Sequence, residues 1–340
     1  MQRISHSKYN WGEVSSALQK SVRRGLTDEA RYWALEMFLV PGAARTNFWN
    51  RMIVFTVEDV SIANPEVIVG VYSLMSQHRD NPTAALKAAD LLTAARKSRI
   101  SDWACHVDPI DRNADQLTVG DQTKVIDDLI EKMEEGDLSA SYRHCILCME
   151  TKDHLDETVR RMNPLIAKRY KHCSIVLWVA YFKAIEKYPA GKRYLSIMYE
   201  IATMPNWRWE HKSQMIHMHV INMFAFKLFD VDYVEKSLEN AKVPDCDYAQ
   251  YQEFYSKHIS RDPDHMRGVP DIAVDKHTQA GKALGRHYKH FFQIGCFLVN
   301  RDERLRLWED NMKQQIWDLF KDFVTDKNVD YGLGDNVIVD

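Results

Sequence analysis

The stretch Ser16-Ala17-Leu18-Gln19-Lys20-Ser21-Val22-Arg23 lies within a longer segment, Trp11 to Arg24, that has the 3.6-residue period of an α-helix. Similar segments follow along most of the chain, while the alternating pattern typical of strands is almost absent. Glycine and proline, which interrupt helices, are scarce at 13 and 10 residues in 340. The sequence therefore predicts an all-α protein, built as a multi-helix array.

The composition indicates a globular protein without a strong overall charge. Apolar residues make up 45% of the chain and the formal net charge is −3, so any binding of nucleic acid must be local. The longest apolar run, 175–182, is far shorter than the roughly 20 residues that cross a membrane. The six cysteines are sparse for this length and favour a reducing compartment. We expect a soluble intracellular protein of the cytoplasm or nucleus that does not associate with membranes.

Two stretches lose the helical period and divide the sequence. Residues 101–120 and residues 259–273 contain the proline, glycine and aspartate residues that are typical of loops. They predict a helical domain over residues 1–120 and a helical array over 121–260. The remainder, 261–340, holds a basic, glycine-containing segment, a terminal helix and an acidic tail.

Further short motifs follow the opening stretch within the first 98 residues. They are Asp28, Ala30, Tyr32-Trp33, Arg51, Glu58-Asp59-Val60, Ala63-Asn64-Pro65 and Ala94-Ala95-Arg96-Lys97-Ser98. Together with the opening stretch, this pattern resembles the C-terminal helical domain of the MgsA/RarA family of clamp-loader-like ATPases, which includes Werner-helicase-interacting protein. Ser61 stands where that family usually has glycine. The resemblance covers residues 10–105, less than a third of the chain.

The resemblance implies a collar-like helical domain that forms homo-oligomers and serves DNA replication, recombination or repair. DNA, including single-stranded DNA, or a replication protein would be its partner. The framework positions carried over are Leu18, Val22, Tyr32, Trp33, Val60 and Pro65. The ATPase core of the family is missing, because Gly281-Lys282 is followed by Ala283 and lacks the upstream glycine of a phosphate-binding loop. We therefore expect no ATP hydrolysis, no catalytic residues and no cofactor.

Five charged residues of the first domain fall within otherwise amphipathic helices. Arg51 and Glu58 are seven residues apart and share a helix face, with Asp59 beside them. With Lys20 and Arg23 they predict a buried ionic cluster, since an unpaired buried charge is costly. A catalytic carboxylate pair is the weaker interpretation, because no nucleophile or metal ligand accompanies Glu58 and Asp59.

The segment from Lys276 to His290 carries four Lys or Arg and three His residues but no acidic residue. A helix predicted from Thr278 to Gly295 would put glycines on one stripe and basic residues on another. Basic side chains beside an aromatic ring are suited to single-stranded nucleic acid. The predicted nucleic-acid-binding residues are Lys276, His277, Lys282, Arg286, Tyr288 and Lys289. The alternative is that Gly281 and Gly285 permit close helix packing and the basic residues are merely solvated.

Two other classes of function stay open at this point. The first is a nucleic-acid-processing or phosphate-ester enzyme that would use His277, Thr278, Arg286 and His287, and possibly Asp275, as acid, base and charge stabiliser. The second is a purely structural adaptor of an assembly.

Cysteine and histidine residues suggest a zinc site only weakly. Cys145 and Cys148 with His144, followed by His172-Cys173, are the right residue types. However, the cysteine pair falls in a predicted helix, and a second pair of ligands with suitable spacing is absent. The favoured interpretation is that the cysteines are core residues, and we expect no metal.

Overall fold

The computed structural model describes residues 4–107, 122–137, 140–142, 145, 175–202, 204, 210–229 and 248–320. These residues are mostly helical, which confirms the predicted all-α class. Within them the extended pairing consists of two isolated bridges, Ile4 with Asn10 and Lys97 with Arg301. None of the helices in these ranges combines the length and apolar character that a bilayer crossing requires.

The helices longer than one turn are numbered here in chain order. They are α1 Trp11–Arg23, α2 Thr27–Phe38, α3 Ala43–Phe55, α4 Pro65–Gln77, α5 Pro82–Ala94, α6 Ile100–Val107, α7 Gln122–Glu135, α8 Ile175–Ala184, α9 Pro189–Ala202, α10 Glu210–Ala225, α11 Gln252–Ser260, α12 Gln279–Ala283 and α13 Glu303–Phe320.

The chain divides into two compact units. Unit 1 combines residues 1–98 with residues 243–340, and unit 2 comprises residues 99–242. The division differs from the three consecutive segments expected from the sequence, because elements of the C-terminal part pack against α1, α2 and α5. Backbone hydrogen bonds join the two parts of unit 1 where Lys97 donates to Asn300 (2.9 Å) and Asp302 donates to Lys97 (3.0 Å).

Helix starts in unit 1 follow the local chemistry of the sequence. The Asn10 side chain accepts hydrogen bonds from the amides of Gly12 and Glu13 and begins α1. Asn81 accepts from Thr83 at 2.9 Å, and Pro82 occupies the first position of α5, as predicted.

The helix on which Arg51 and Glu58 were predicted to share a face does not continue as an α-helix as far as Glu58. α3 ends at Phe55, a π-helical turn follows over Thr56–Val60, and a 3-10 turn covers Ser61–Ala63. Ser61 has φ +51° and ψ −140°, a backbone region that suits glycine. This local winding, rather than a straight helix, brings the two acidic residues of the turn to α1.

Unit 1 is organised around α1, which packs against α2, α3 and α5 and against the 3-10 turn Asp271–Ala273. The framework residues taken from the resemblance, Leu18, Val22, Tyr32, Trp33, Val60 and Pro65, are all buried. In unit 2, α10 occupies the corresponding central place and packs against α6, α7 and α9. Each unit thus has one buried helix in contact with several others.

Candidate functional site

The central helix of unit 1 carries an ionic cluster that excludes solvent. Lys20 is 2% exposed and forms an ion pair with Asp275, which is fully buried. The Lys20 ammonium also donates to the Ser16 hydroxyl at 2.9 Å. Asp275 lies 255 residues further along the chain, so the pair ties the C-terminal part of unit 1 to α1.

Arg23, one turn further along α1, is the hub of the cluster. Its Nε donates to Asp59 at 2.7 Å, and one terminal nitrogen donates to Glu58 at 2.7 Å. The other terminal nitrogen donates to the carbonyl of Gly295. Gln19 donates to the second oxygen of Asp59 at 3.0 Å. Each of the three nitrogens of the Arg23 guanidinium therefore has an acceptor, as a buried cation requires.

Burial and the charge of the partner shift the pKa values of Lys20 and Asp275 in opposite directions. Burial lowers the pKa of Lys20 to about 8, although Asp275 counteracts it. Burial alone would raise the pKa of Asp275, but the charge and hydrogen bond of Lys20 outweigh it and the pKa falls below its usual range. The two groups are oppositely charged at neutral pH, and either one without the other would be an uncompensated buried charge.

Of the five polar residues predicted to cluster, the structure joins Arg23, Glu58 and Asp59 directly. Lys20, one turn earlier on the same helix, pairs instead with Asp275, which the sequence indicated only as a possible enzyme residue. Arg51 lies beside the cluster without an ion pair to a described residue, and its Nε donates to Ser15 at 2.9 Å. No local signal could have revealed Asp275 as the partner of Lys20, since their contact depends entirely on the tertiary fold.

The continuous helix predicted over Thr278 to Gly295 is wrong. Residues 279–283 form α12, Gly285 adopts a left-handed φ of +69°, and a single helical turn and a π-helical turn cover 288–295. The predicted glycine and basic stripes therefore do not exist. The break has a local cause, because the left-handed glycine ends α12 and a new turn begins after it.

The first part of this segment is folded tightly onto itself. The Thr278 hydroxyl donates to the carbonyl of Asp275 (2.9 Å) and accepts from the amide of Gly281 (3.0 Å). A Cβ on Gly281 would lie only 1.9 Å from the Asp275 carbonyl oxygen. Gly281 is thus needed for the close approach of two backbone segments, which is a local contact and not the helix packing considered as the alternative.

The predicted nucleic-acid-binding residues have different environments. The Lys276 ammonium lies 3.7 Å from the centre of the Tyr288 ring. Lys282 and Lys289 are exposed, and neither forms an ion pair with any residue that the structure describes. His277 is also exposed, and its ring meets Phe291 edge-on at a centroid distance of 5.4 Å.

Arg286 is held by its own segment. One terminal nitrogen donates to the carbonyls of Asp271 (3.0 Å) and Val274 (2.7 Å), and the other pairs with the Asp271 carboxylate at 2.6 Å. The guanidinium therefore braces the turn that precedes α12. Together with the buried Thr278, it is engaged in local structure rather than directed to a shared reaction centre.

Sequence reasoning missed the adjacent Arg24, which is part of the same attachment. Its guanidinium donates to the carbonyl of Ile294 at 2.6 Å, next to the Gly295 carbonyl that Arg23 uses. The two arginines at the end of α1 thus hold the π-helical turn that follows the basic segment. The sequence signal that could have identified Arg24 is its position directly after Arg23.

The proposed zinc ligands are only partly described. Cys145 is buried, with its sulfur 3.8 Å from the Tyr181 hydroxyl. Cys148, His144, His172 and Cys173 lie outside the described residues. Within the described part of the chain, three or more His, Cys, Asp or Glu side chains nowhere gather in a way that would hold a metal ion. The absence of metal from Cys145 stays a prediction.

No protein-family model, curated protein or solved structure matches this chain.

Proposed function

We propose that the chain is a non-catalytic accessory protein of DNA replication, recombination or repair, and that it binds DNA through the surface of residues 276–289. The observation that carries this proposal is the pair of exposed lysines, Lys282 and Lys289. Neither is neutralised by a described acidic residue, although most other charged groups of unit 1 are paired. Exposed cations of this kind attract phosphates and release the counterions that surround DNA.

The surroundings of these lysines support a nucleic-acid ligand. Tyr288, beside Lys289, is 36% exposed, and Lys276 adds a third positive charge at its ring. An aromatic ring among cations can stack on an unpaired base while the cations hold the backbone. This surface chemistry favours single-stranded over duplex DNA.

The enzymatic alternative has less support. It required Thr278 and Arg286 to act with His277 and His287, but the Thr278 hydroxyl and the Arg286 guanidinium are occupied by backbone groups of their own segment. A replication protein as an additional partner and a homo-oligomeric state are proposed from the resemblance of residues 10–105 to the MgsA/RarA family.

The central experiment is a DNA-binding titration at several salt concentrations. The double variant Lys282→Gln/Lys289→Gln should bind a single-stranded oligonucleotide more weakly, and the slope of log affinity against log salt should fall by up to about 1.4, or roughly 0.7 for each lost contact. The matched control is Lys183→Gln/Lys192→Gln, which removes two exposed lysines from unit 2. Equal affinity and slope for both variants and the original protein would contradict the proposed surface.

The proposed oligomer has its own test. Light scattering over a wide concentration range should give a mass above the 39.7 kDa of one chain. A monomer at every concentration would remove the oligomerisation proposal without affecting the DNA-binding one.

A further inference from the structure

Arg51 lies beside the ionic cluster, and some of its N–H donors have no acceptor among the described residues. It projects from α3, is half-buried, and donates from Nε to the Ser15 hydroxyl at 2.9 Å. Its guanidinium carbon lies 5.4 Å from the centre of the Phe55 ring. These two contacts fix the plane of the guanidinium, because a hydrogen bond holds one edge and an aromatic ring is nearby.

The two terminal nitrogens of Arg51 have no acceptor among the described residues. They are also not among the buried polar atoms that lack a partner, so they are in contact with solvent. A planar guanidinium with both terminal nitrogens open presents two parallel N–H donors, the arrangement that binds an oxyanion through two hydrogen bonds.

The nearby acidic residues do not satisfy Arg51 because other cations hold them. Glu58 and Asp59 both pair with Arg23, and Asp275 pairs with Lys20. These carboxylates still stabilise the charge of Arg51 at longer range, while burial lowers its pKa. The guanidinium is thus kept charged and oriented next to a cluster whose own ion pairs are complete.

We propose that Arg51 forms a binding site for a phosphate oxyanion, where α1, α3 and the π-helical turn Thr56–Val60 meet. The ligand would be inorganic phosphate or the phosphoryl group of a small ester, held by the two terminal nitrogens. The proposal does not depend on the DNA-binding surface, because it uses none of its residues.

A second arginine of α3 provides the matched control. Arg45 also lies over a phenylalanine ring, with its guanidinium carbon 4.6 Å from the centre of Phe38. Its Nε, in contrast, donates to the Phe38 carbonyl (3.1 Å), and one terminal nitrogen donates to the Asp80 carboxylate (2.7 Å). Both arginines lie on α3 over a phenylalanine ring, but a carboxylate already pairs with Arg45, whereas Arg51 has no ion pair with a described residue.

The experiment is calorimetric titration of the full chain with inorganic phosphate at constant ionic strength. The original protein and Arg45→Gln should bind phosphate saturably with the same affinity. Arg51→Gln should bind at least about ten-fold more weakly, since the two-donor contact is lost. Arg51→Lys keeps the charge but not the fork and should be intermediate. It also allows a conclusion if Arg51→Gln does not fold.

Three further titrations separate the sources of the oxyanion. A nucleoside monophosphate should compete with inorganic phosphate, whereas acetate at equal ionic strength should not. Lys282→Gln/Lys289→Gln should leave phosphate affinity unchanged. The proposal is overturned if the original protein does not bind phosphate, if Arg51→Gln binds it as well as Arg45→Gln does, or if acetate competes equally. It is also overturned if Arg51→Gln weakens binding of oligonucleotides alone, because Arg51 would then belong to the DNA surface.

Discussion

The central helices of the two units both bury polar side chains, but one buries charged groups and the other buries neutral groups. In unit 1, α1 buries the charged residues Lys20 and Arg23 and pairs both with carboxylates. In unit 2, α10 buries the neutral groups His217, His219 and Asn222. A charge that is fully paired and a polar group that stays neutral are the two ways in which a polar side chain can be buried at acceptable cost.

The neutral arrangement of unit 2 depends on hydrogen bonds and on aromatic contacts. His219 Nε2 and the Tyr194 hydroxyl are 2.7 Å apart, and Asn222 accepts from Tyr142 and donates to Ser101 at 3.2 Å. His217 contacts the rings of Trp178 and Tyr181 and has no hydrogen-bond partner among the described residues. The two helices should therefore respond differently to loss of a partner and to a change of pH.

Removing one partner of the buried Lys20–Asp275 pair should cause the largest loss of stability. Lys20→Met leaves Asp275 buried without its cation and should lower the free energy of unfolding by about 3–5 kcal/mol. Lys20→Met/Asp275→Asn, which removes both charges, should recover most of that loss. Urea denaturation measures both values.

The control for this pair is an exposed ion pair of unit 1. Lys257 and Glu253 lie 2.7 Å apart and are 49% and 82% exposed, so Lys257→Met should leave the free energy of unfolding nearly unchanged. If Lys20→Met costs no more than Lys257→Met, the buried cluster does not hold unit 1 together as described.

Acid should destabilise unit 2 by protonating its buried histidines. Burial lowers the pKa of His217 and of His219 to about 3, below the ordinary value of 6.5. Because the unfolded chain binds the proton more readily, their stabilising effect is complete above pH 6.5 and is lost as the pH falls towards 3. At pH 4, each histidine should destabilise unit 2 by on the order of 3 kcal/mol.

His217→Phe tests this directly, because it keeps an aromatic ring that cannot be protonated. The variant should lose less stability between pH 7 and pH 4 than the original protein, as followed by hydrogen exchange of peptides from α10. Identical pH profiles for His217→Phe and the original protein would show that His217 is not the acid-sensitive group.

Glycine substitutions compare how rigidly the two units are packed. Gly281→Ala in unit 1 meets the Asp275 backbone, which cannot yield easily, and should cost about 2 kcal/mol or more. Gly191→Ala in unit 2 meets side-chain atoms of Ile185 and Phe229 at 2.6 Å, which can shift more readily than backbone atoms. Thermal denaturation should show the larger loss for Gly281→Ala, and the reverse order would contradict this view of the segment.

Relieving backbone strain should produce the smallest effect, and a stabilising one. Ser61 has a φ of +51° at the end of the π-helical turn, so Ser61→Gly should raise the free energy of unfolding by about 1 kcal/mol. Ser61→Ala keeps the Cβ and should give no gain. A gain with alanine equal to that with glycine would assign the effect to the hydroxyl group instead of the backbone.

The sequence by itself determined the helical class, the starts of α1 and α5, and the need of Lys20 and Arg23 for buried partners. These follow from local properties, namely periodicity, capping side chains and the cost of an unpaired charge. Exposed lysines of the basic segment could also be recognised, since their composition differs from the rest of the chain.

The tertiary structure alone decided which groups meet. It brought Asp275 to Lys20 across 255 residues of chain and divided the predicted helix 278–295 at Gly285. It also supplied acceptors to the guanidinium groups of Arg23 and Arg286 but not to the terminal nitrogens of Arg51. The physical reason is that long-range ion pairs and backbone contacts depend on how the elements pack. Helical periodicity is the same whether a charged side chain finds a partner or faces solvent.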